Sequence, residues 1–209
     1  MNKLVIFDFD GVLADSFEHL YAMNKAAAEF SAKTMSREDY RQIFAGKFHP
    51  SLHRFMALEE EEFKRYAEHK SSIFNDYYDK AGLFDFAPDL IQGLSPSASL
   101  AIVSSAPEES IRSMLNKYDL ADSFILILGT NKDGKIANLK KCLETASSDK
   151  QHSFFVSDTT GDINEGNEIG LNTIAVTWGF HDSGVLRASQ PKFLVDNFSE
   201  IIDIVKRSS

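Results

Sequence analysis

The feature that most constrains this fold is a short apolar run that ends in charge. Leu4-Val5-Ile6-Phe7-Asp8-Phe9-Asp10-Gly11 is rich in β-branched and aromatic residues and has no polar interruption before Asp8. A strand apolar on both faces belongs in a parallel sheet covered by helices on each side. Open sheets of that kind bind ligands at the carboxyl ends of their strands, which is where Asp8 and Asp10 would sit. Two residues apart, they point the same way on an extended chain. Taken alone, the stretch reads equally well as a strand running out into a polar Asp-Gly turn.

Behind this run the chain is helical for a long stretch. Phe17 to Phe30 carries Leu20, Met23, Ala27 and Phe30 at helical spacing, with Ser16 as a cap. Ser36 to Phe44 begins with the capping pattern Ser-x-x-Asp, Leu52 to Leu58 is short and apolar, and Glu59 to Tyr78 opens on four acids. From Gly82 the pattern alternates. Strands are expected at Ser99–Val103, Phe124–Leu128, Ser153–Val156, Asn172–Thr177 and Phe193–Val195, with helices between them and Ser199 to Lys206 at the end. The pattern is that of an α/β protein with a Rossmann-like parallel sheet core, 1–14 and 82–209, and an inserted helical domain, 15–81.

Composition limits the partners. With 209 residues and a formal net charge of -9, and no basic cluster longer than Lys140-Lys141, nucleic acid and anionic membranes are not expected as main partners. The single cysteine, Cys142, excludes an internal disulfide, and nothing approaches a signal peptide or a membrane span. A cytoplasmic monomer or weak homodimer is expected.

The residues just past each strand are chemically coherent. Asp8 and Asp10 follow the first strand, Ser104 the second and Asp158 the fourth, with Asp162 one helical turn on and Lys135 before a helix. Carboxylates gathered at one locus repel unless a cation is present, and hard oxygen donors suit Mg²⁺. An Asp carboxylate can attack phosphorus, and a second one with a raised pKa can move the proton. Ser104, with backbone N–H groups such as those of Ser105 and Gly11, would bind phosphate oxygens, and Lys135 would neutralise developing charge. Lys132 competes for that last role.

Four stretches in order resemble the haloacid dehalogenase superfamily: Asp8-Phe9-Asp10-Gly11-Val12-Leu13-Ala14-Asp15-Ser16, Ile102-Val103-Ser104, Lys135, and Ser157-Asp158-Thr159-Thr160-Gly161-Asp162. Val176-Thr177-Trp178-Gly179-Phe180 is similar to its phosphoglycolate phosphatase-like members. The resemblance implies a helical cap and Mg²⁺-dependent hydrolysis of a small phosphorylated metabolite. It assigns Asp8 as nucleophile, Asp10 as general acid/base, and Asp8, the Asp10 carbonyl and Asp158 as metal ligands assisted by Asp162. A sugar-phosphate mutase and a catalytically idle binding relative are the alternatives. Lys47, His49 and Arg54 of the insert are candidates to grip a second anionic group. Ser157 stands where the family has glycine. His19, His53, His69, His152 and His181 show no ligand spacing and read as surface or packing residues.

Overall fold

The structure, a computed structural model, describes residues 3–129 and 134–208. In chain order, β1 (Leu4–Phe7) and the two-residue β2 (Ala14–Asp15) lead into five helices: α1 (Phe17–Phe30), α2 (Arg37–Ile43), α3 (Phe48–Met56), α4 (Glu60–Ser72) and α5 (Phe74–Tyr78). Then come β3 (Gly82–Leu83), α6 (Ala87–Leu94), β4 (Ser99–Val103), α7 (Glu108–Asn116), β5 (Leu126–Leu128) and α8 (Gly134–Ala146). The chain continues through β6 (Ser153–Ser157), α9 (Thr160–Ile169), β7 (Asn172–Val176), α10 (Ser183–Ala188), β8 (Phe193–Val195) and α11 (Phe198–Arg207).

Six strands form one parallel sheet in the order β5-β4-β1-β6-β7-β8. The chain leaves β1 on one side for β4 and β5, then returns to its other side for β6, β7 and β8. That reversal opens a crevice at the carboxyl end of β1. Both faces of β1 are buried, and its alternation divides the core. Val5 and Phe7 pack with Ile102, Phe154, Ile111 and Ile201. Leu4 and Ile6 face the other way, onto Val103, Phe155, Leu139 and Cys142.

The five helices α1 to α5 form a layer of their own, entered through β2 and left through β3. These two crossings pair as an antiparallel ribbon, Ala14 opposite Leu83 and Asp15 opposite Gly82. No helix among the described residues is long and apolar enough to cross a membrane.

Local chemistry explains most element ends. Ser36 caps α2 in a full capping box with Asp39, and Asn197 does the same for α11 with Glu200. Gly170 ends α9 in the left-handed region at φ 79°. Several ends differ from the sequence reading. Ser16 precedes α1, but its hydroxyl caps no backbone N–H. The helix expected over Glu59 to Tyr78 breaks at Ile73, where the His69 carbonyl accepts from both the Ile73 N–H and the Ser72 hydroxyl. The short element expected at Leu52 to Leu58 starts earlier, at Phe48, and the first turn of this α3 accommodates Pro50. The short α10 escaped notice because it buries only Leu186.

Gly170→Ala forces an L side chain into that left-handed turn and is expected to cost about 1 kcal/mol. Urea unfolding should show a lower midpoint with an unchanged slope; an unchanged midpoint would mean that the turn is not constrained as described.

Candidate active site

Asp8 ends the central strand. Its N–H donates to the Val156 carbonyl (2.9 Å), which extends the sheet ladder one residue past β1, and its Oδ1 accepts from the Phe9 N–H (2.8 Å). The chain then coils tightly, with the Phe9 carbonyl accepting from the N–H groups of both Leu13 and Ala14 at 2.9 Å. Asp10 is therefore not on extended chain, yet it lines the same cavity as Asp8. Gly11 makes the coil work at φ 75°, and a Cβ there would lie 2.0 Å from Asp158 Oδ2. Gly11 was expected to bind phosphate, but its N–H donates to the Ala14 carbonyl (2.9 Å) and it lies outside the cavity lining.

The neighbouring strands deliver the rest. Ser104, just past β4, accepts the Ala106 N–H on its Oγ (3.1 Å), which leaves its hydroxyl proton free to donate. Ser105 beside it also lines the cavity. Lys135, in the first turn of α8, reaches Asp162 Oδ2 at 2.7 Å and Asp8 Oδ2 at 3.3 Å. Its rival Lys132 lies outside the described residues. Asp158, just past β6, accepts the Phe180 N–H on Oδ2 (2.7 Å), while its Oδ1 is buried without a partner. The Ser157 hydroxyl donates to Asp162 Oδ2 (2.8 Å). The serine at this position thus fixes the carboxylate that holds Lys135.

Electrostatics follow from this crowding. Burial pushes Asp8 well above the ordinary carboxylate range; Lys135 opposes that, while Asp162 and Asp158 add to it. Asp10 rises to about 6, again mainly by burial, with the Ser16 and Tyr78 hydroxyls favouring its charged form. Asp10 Oδ1, Ser16 Oγ and Tyr78 Oη are all buried without a well-formed hydrogen bond, so the three face one another with unspent polar capacity. Asp158 rises to about 7, chiefly by burial. Asp162 moves the other way: burial alone would raise it, but Lys135 and its hydrogen bonds prevail. Lys135 is held in its charged form, since Asp162 and Asp8 outweigh its burial.

The donor set suits a hard cation. Asp158 Oδ1 is an orphaned carboxylate oxygen in a cluster of acids with Asp8 and Asp162. Among the described residues no three His, Cys, Asp or Glu side chains close a ligand set by themselves. Carboxylate oxygens completed by retained water are donors that suit Mg²⁺.

The helical layer roofs the site. The Gly161 N–H donates to the Phe44 carbonyl (3.1 Å), Arg41 Nε to the Phe180 carbonyl (2.9 Å), and His181 Nε2 to the Arg41 carbonyl (2.9 Å). His181 Nδ1 accepts from the Thr160 N–H (3.0 Å), so its neutral tautomer is set by both partners. Phe17 and Phe44 meet the Phe180 ring edge-on at 4.9 and 5.0 Å. Phe180 and His181 anchor this seam, a role the sequence did not show. The roof also brings Asn24, Lys70 and Phe74 into the lining of a cavity of about 460 Å³, alongside Lys47 and His49. Arg54, expected with those two, is exposed on α3 and lies outside the lining. Lys70 had a signal in the sequence: it stands four residues after Tyr66, on the stripe of α4 that buries that ring.

The comparisons with known proteins agree with this geometry. Residues 5–176 match the family model described as haloacid dehalogenase-like hydrolase. The chain belongs to that family. Among its relatives, phosphoglycolate phosphatase of Synechococcus elongatus is 28% identical over 206 residues, covering 97% of each chain. Phosphoglycolate phosphatase of Aquifex aeolicus is 25% identical over 214 residues, covering 97% of this chain and 96% of its own. A haloacid dehalogenase-like hydrolase from Streptococcus pneumoniae shares the fold with a TM-score of 0.85 at 20% identity, covering 97% of this chain and 98% of its own. The α/β fold expected from the sequence is thus the fold of the family.

Without a divalent cation, the raised carboxylates carry protons that the unfolded chain releases near pH 4. Their stabilising contribution is full below that value and is lost as pH rises through their folded values, about 6 for Asp10 and about 7 for Asp158. In chelator, Asp158→Asn should therefore gain stability relative to the parent protein between pH 5 and pH 8, read as the difference in urea midpoints. A constant difference would contradict the assignment.

Proposed function

We propose that this haloacid dehalogenase-like hydrolase is a phosphomonoester phosphatase working through an aspartyl-phosphate on Asp8. The carrying observation is the placement of Asp8 at the end of the central strand, 3.3 Å from the Lys135 ammonium and on one cavity with Asp10 and Ser104. The substrate's phosphoryl group would rest against Asp8, with the Ser104 hydroxyl and the Lys135 ammonium on its non-bridging oxygens. An Asp8 carboxylate oxygen attacks phosphorus as the bond to the leaving oxygen breaks. Asp10, poised near 6, gives that oxygen its proton. Water then attacks the phosphorus of the acyl phosphate while Asp10 takes up its proton, and inorganic phosphate and the Asp8 carboxylate are released.

Asp8, the Asp10 carbonyl and Asp158 are the proposed holders of Mg²⁺. When bound, that cation would neutralise the cluster and let an anionic phosphate approach an anionic carboxylate. Asp162 is given a positioning role, since its Oδ2 already accepts from Lys135 and Ser157. The segment 15–81 acts as the cap, turning on the β2–β3 ribbon to admit substrate and exclude bulk water. A small phosphorylated metabolite is the substrate class that the named relatives support.

The test is phosphate release from a generic aryl phosphate with Mg²⁺. Asp8→Asn should abolish turnover, and Asp10→Asn should lower kcat by about 100- to 10,000-fold. Chelator should stop the parent enzyme reversibly. Unaltered turnover in Asp8→Asn would rule the reading out.

A further inference from the structure

The reacting groups all come from the sheet side of the cavity, and the roof above them has a different chemistry. Its wall is largely apolar, from Leu20 and Met23 of α1, Phe44, Phe48 of α3 and Phe74 of α5. Apart from Asn24 and Tyr40, such a wall offers few partners to the hydroxyls of a sugar, and burying those hydroxyls unpaired is costly. One half-buried cation interrupts it. Lys70, on α4, lies over the face of Phe48 with its Nζ 4.7 Å from the ring centroid, and among the described residues it makes no ion pair. Burial pulls its ammonium down to about 8, and the nearby His49 is lowered by its own burial and then by the Lys70 charge. Lys47, the other lysine on the roof side, is exposed at the rim, where Glu165 feels its charge. The roof thus holds one sheltered positive charge with no counterion among the described residues, next to an imidazole that adds none.

The cavity itself, at about 460 Å³, is of the size that encloses a drug-like molecule and exceeds what a two-carbon phosphorylated acid would fill. Resting on the phosphatase reading, we propose that Lys70 makes the roof a leaving-group subsite for phosphomonoesters with an apolar body and a terminal carboxylate. One lysine balances one negative charge, which is why a monoanionic carboxylate fits better than a second phosphate. The phosphoryl end keeps its own cation in Lys135, so the two ends of the substrate are read by different layers of the protein. The chemistry of the transfer is unchanged: the P–O bond breaks at the Asp8 end and the carboxylate takes no part.

The experiment compares three substrates on the Mg²⁺-loaded full-length enzyme: 4-(carboxymethyl)phenyl phosphate, 4-methylphenyl phosphate and 2-phosphoglycolate. The first two share an aryl leaving group and differ at the far tip. The parent enzyme should prefer the carboxylated aryl ester by about 10- to 100-fold in kcat/KM, the scale of one hydrogen bond to a charged group. It should also prefer that ester to 2-phosphoglycolate. Lys70→Met should collapse the carboxylate preference to within about 3-fold, mostly through KM, and Lys70→Arg should restore most of it. Equal rates on the two aryl esters in the parent enzyme, a preference for 2-phosphoglycolate, or a carboxylate preference that survives Lys70→Met would each overturn the subsite while leaving the phosphatase intact. No phosphate released from any of the three would overturn the phosphatase reading, and the subsite with it.

Discussion

A single buried ammonium organises the reacting end of this protein. Lys135 reaches Asp162 at 2.7 Å and Asp8 at 3.3 Å, and so ties the start of α8 to the end of β1 and the first turn of α9. Buried charge is tolerated only when paired, and this pairing decides which acids keep their protons. Asp162, closest to the lysine, is the acid held ionised. Burial raises Asp8, Asp10 and Asp158 above the ordinary carboxylate range, and the positive charge beside them is too little to offset it. That residual imbalance is the physical demand a divalent cation would meet. The Ser157 hydroxyl completes the arrangement by fixing the other side of Asp162.

The roof is attached to the reacting end through few contacts. Phe180 sits at the middle of them: its N–H holds Asp158, its carbonyl accepts from Arg41, and its ring meets Phe17 and Phe44. A shift of the roof would therefore be felt at Asp158 through one residue. Tyr78 gives the second line of contact, because its phenol on α5 faces Asp10. The helical layer thus touches the surroundings of Asp158 and Asp10 with side chains from α1, α2 and α5.

The sheet side was legible in the sequence because its signals are local. Apolar runs such as Leu4 to Phe7 and Ser99 to Val103 are strands in the structure, and the polar residues just past them meet in one cavity. Asp8, Asp10, Ser104, Lys135 and Asp162 line it together, and Asp158 joins them through Phe180. What escaped depends on distance along the chain. Gly11 looked like a phosphate ligand until the coil of the loop engaged its N–H. His181 read as packing, yet it is buried at the seam and bonds both layers, which no spacing rule could show. The roof was the least legible part: Arg54 was chosen by charge, whereas Lys70 lines the cavity because the stripe of α4 carries it there. The break at Ile73, which no periodicity announced, precedes Phe74 in the cavity lining and Tyr78 beside Asp10.

Catalysis as proposed turns on a covalent bond between Asp8 and phosphorus. The most direct measurement is the stereochemical course at phosphorus, using a phosphomonoester made chiral with oxygen isotopes and a phosphate acceptor alcohol in the turnover mixture. Two successive in-line displacements, the first by Asp8, predict net retention of configuration in the product. Net inversion would mean a single direct displacement, and would contradict the aspartyl-phosphate on which the mechanism is built.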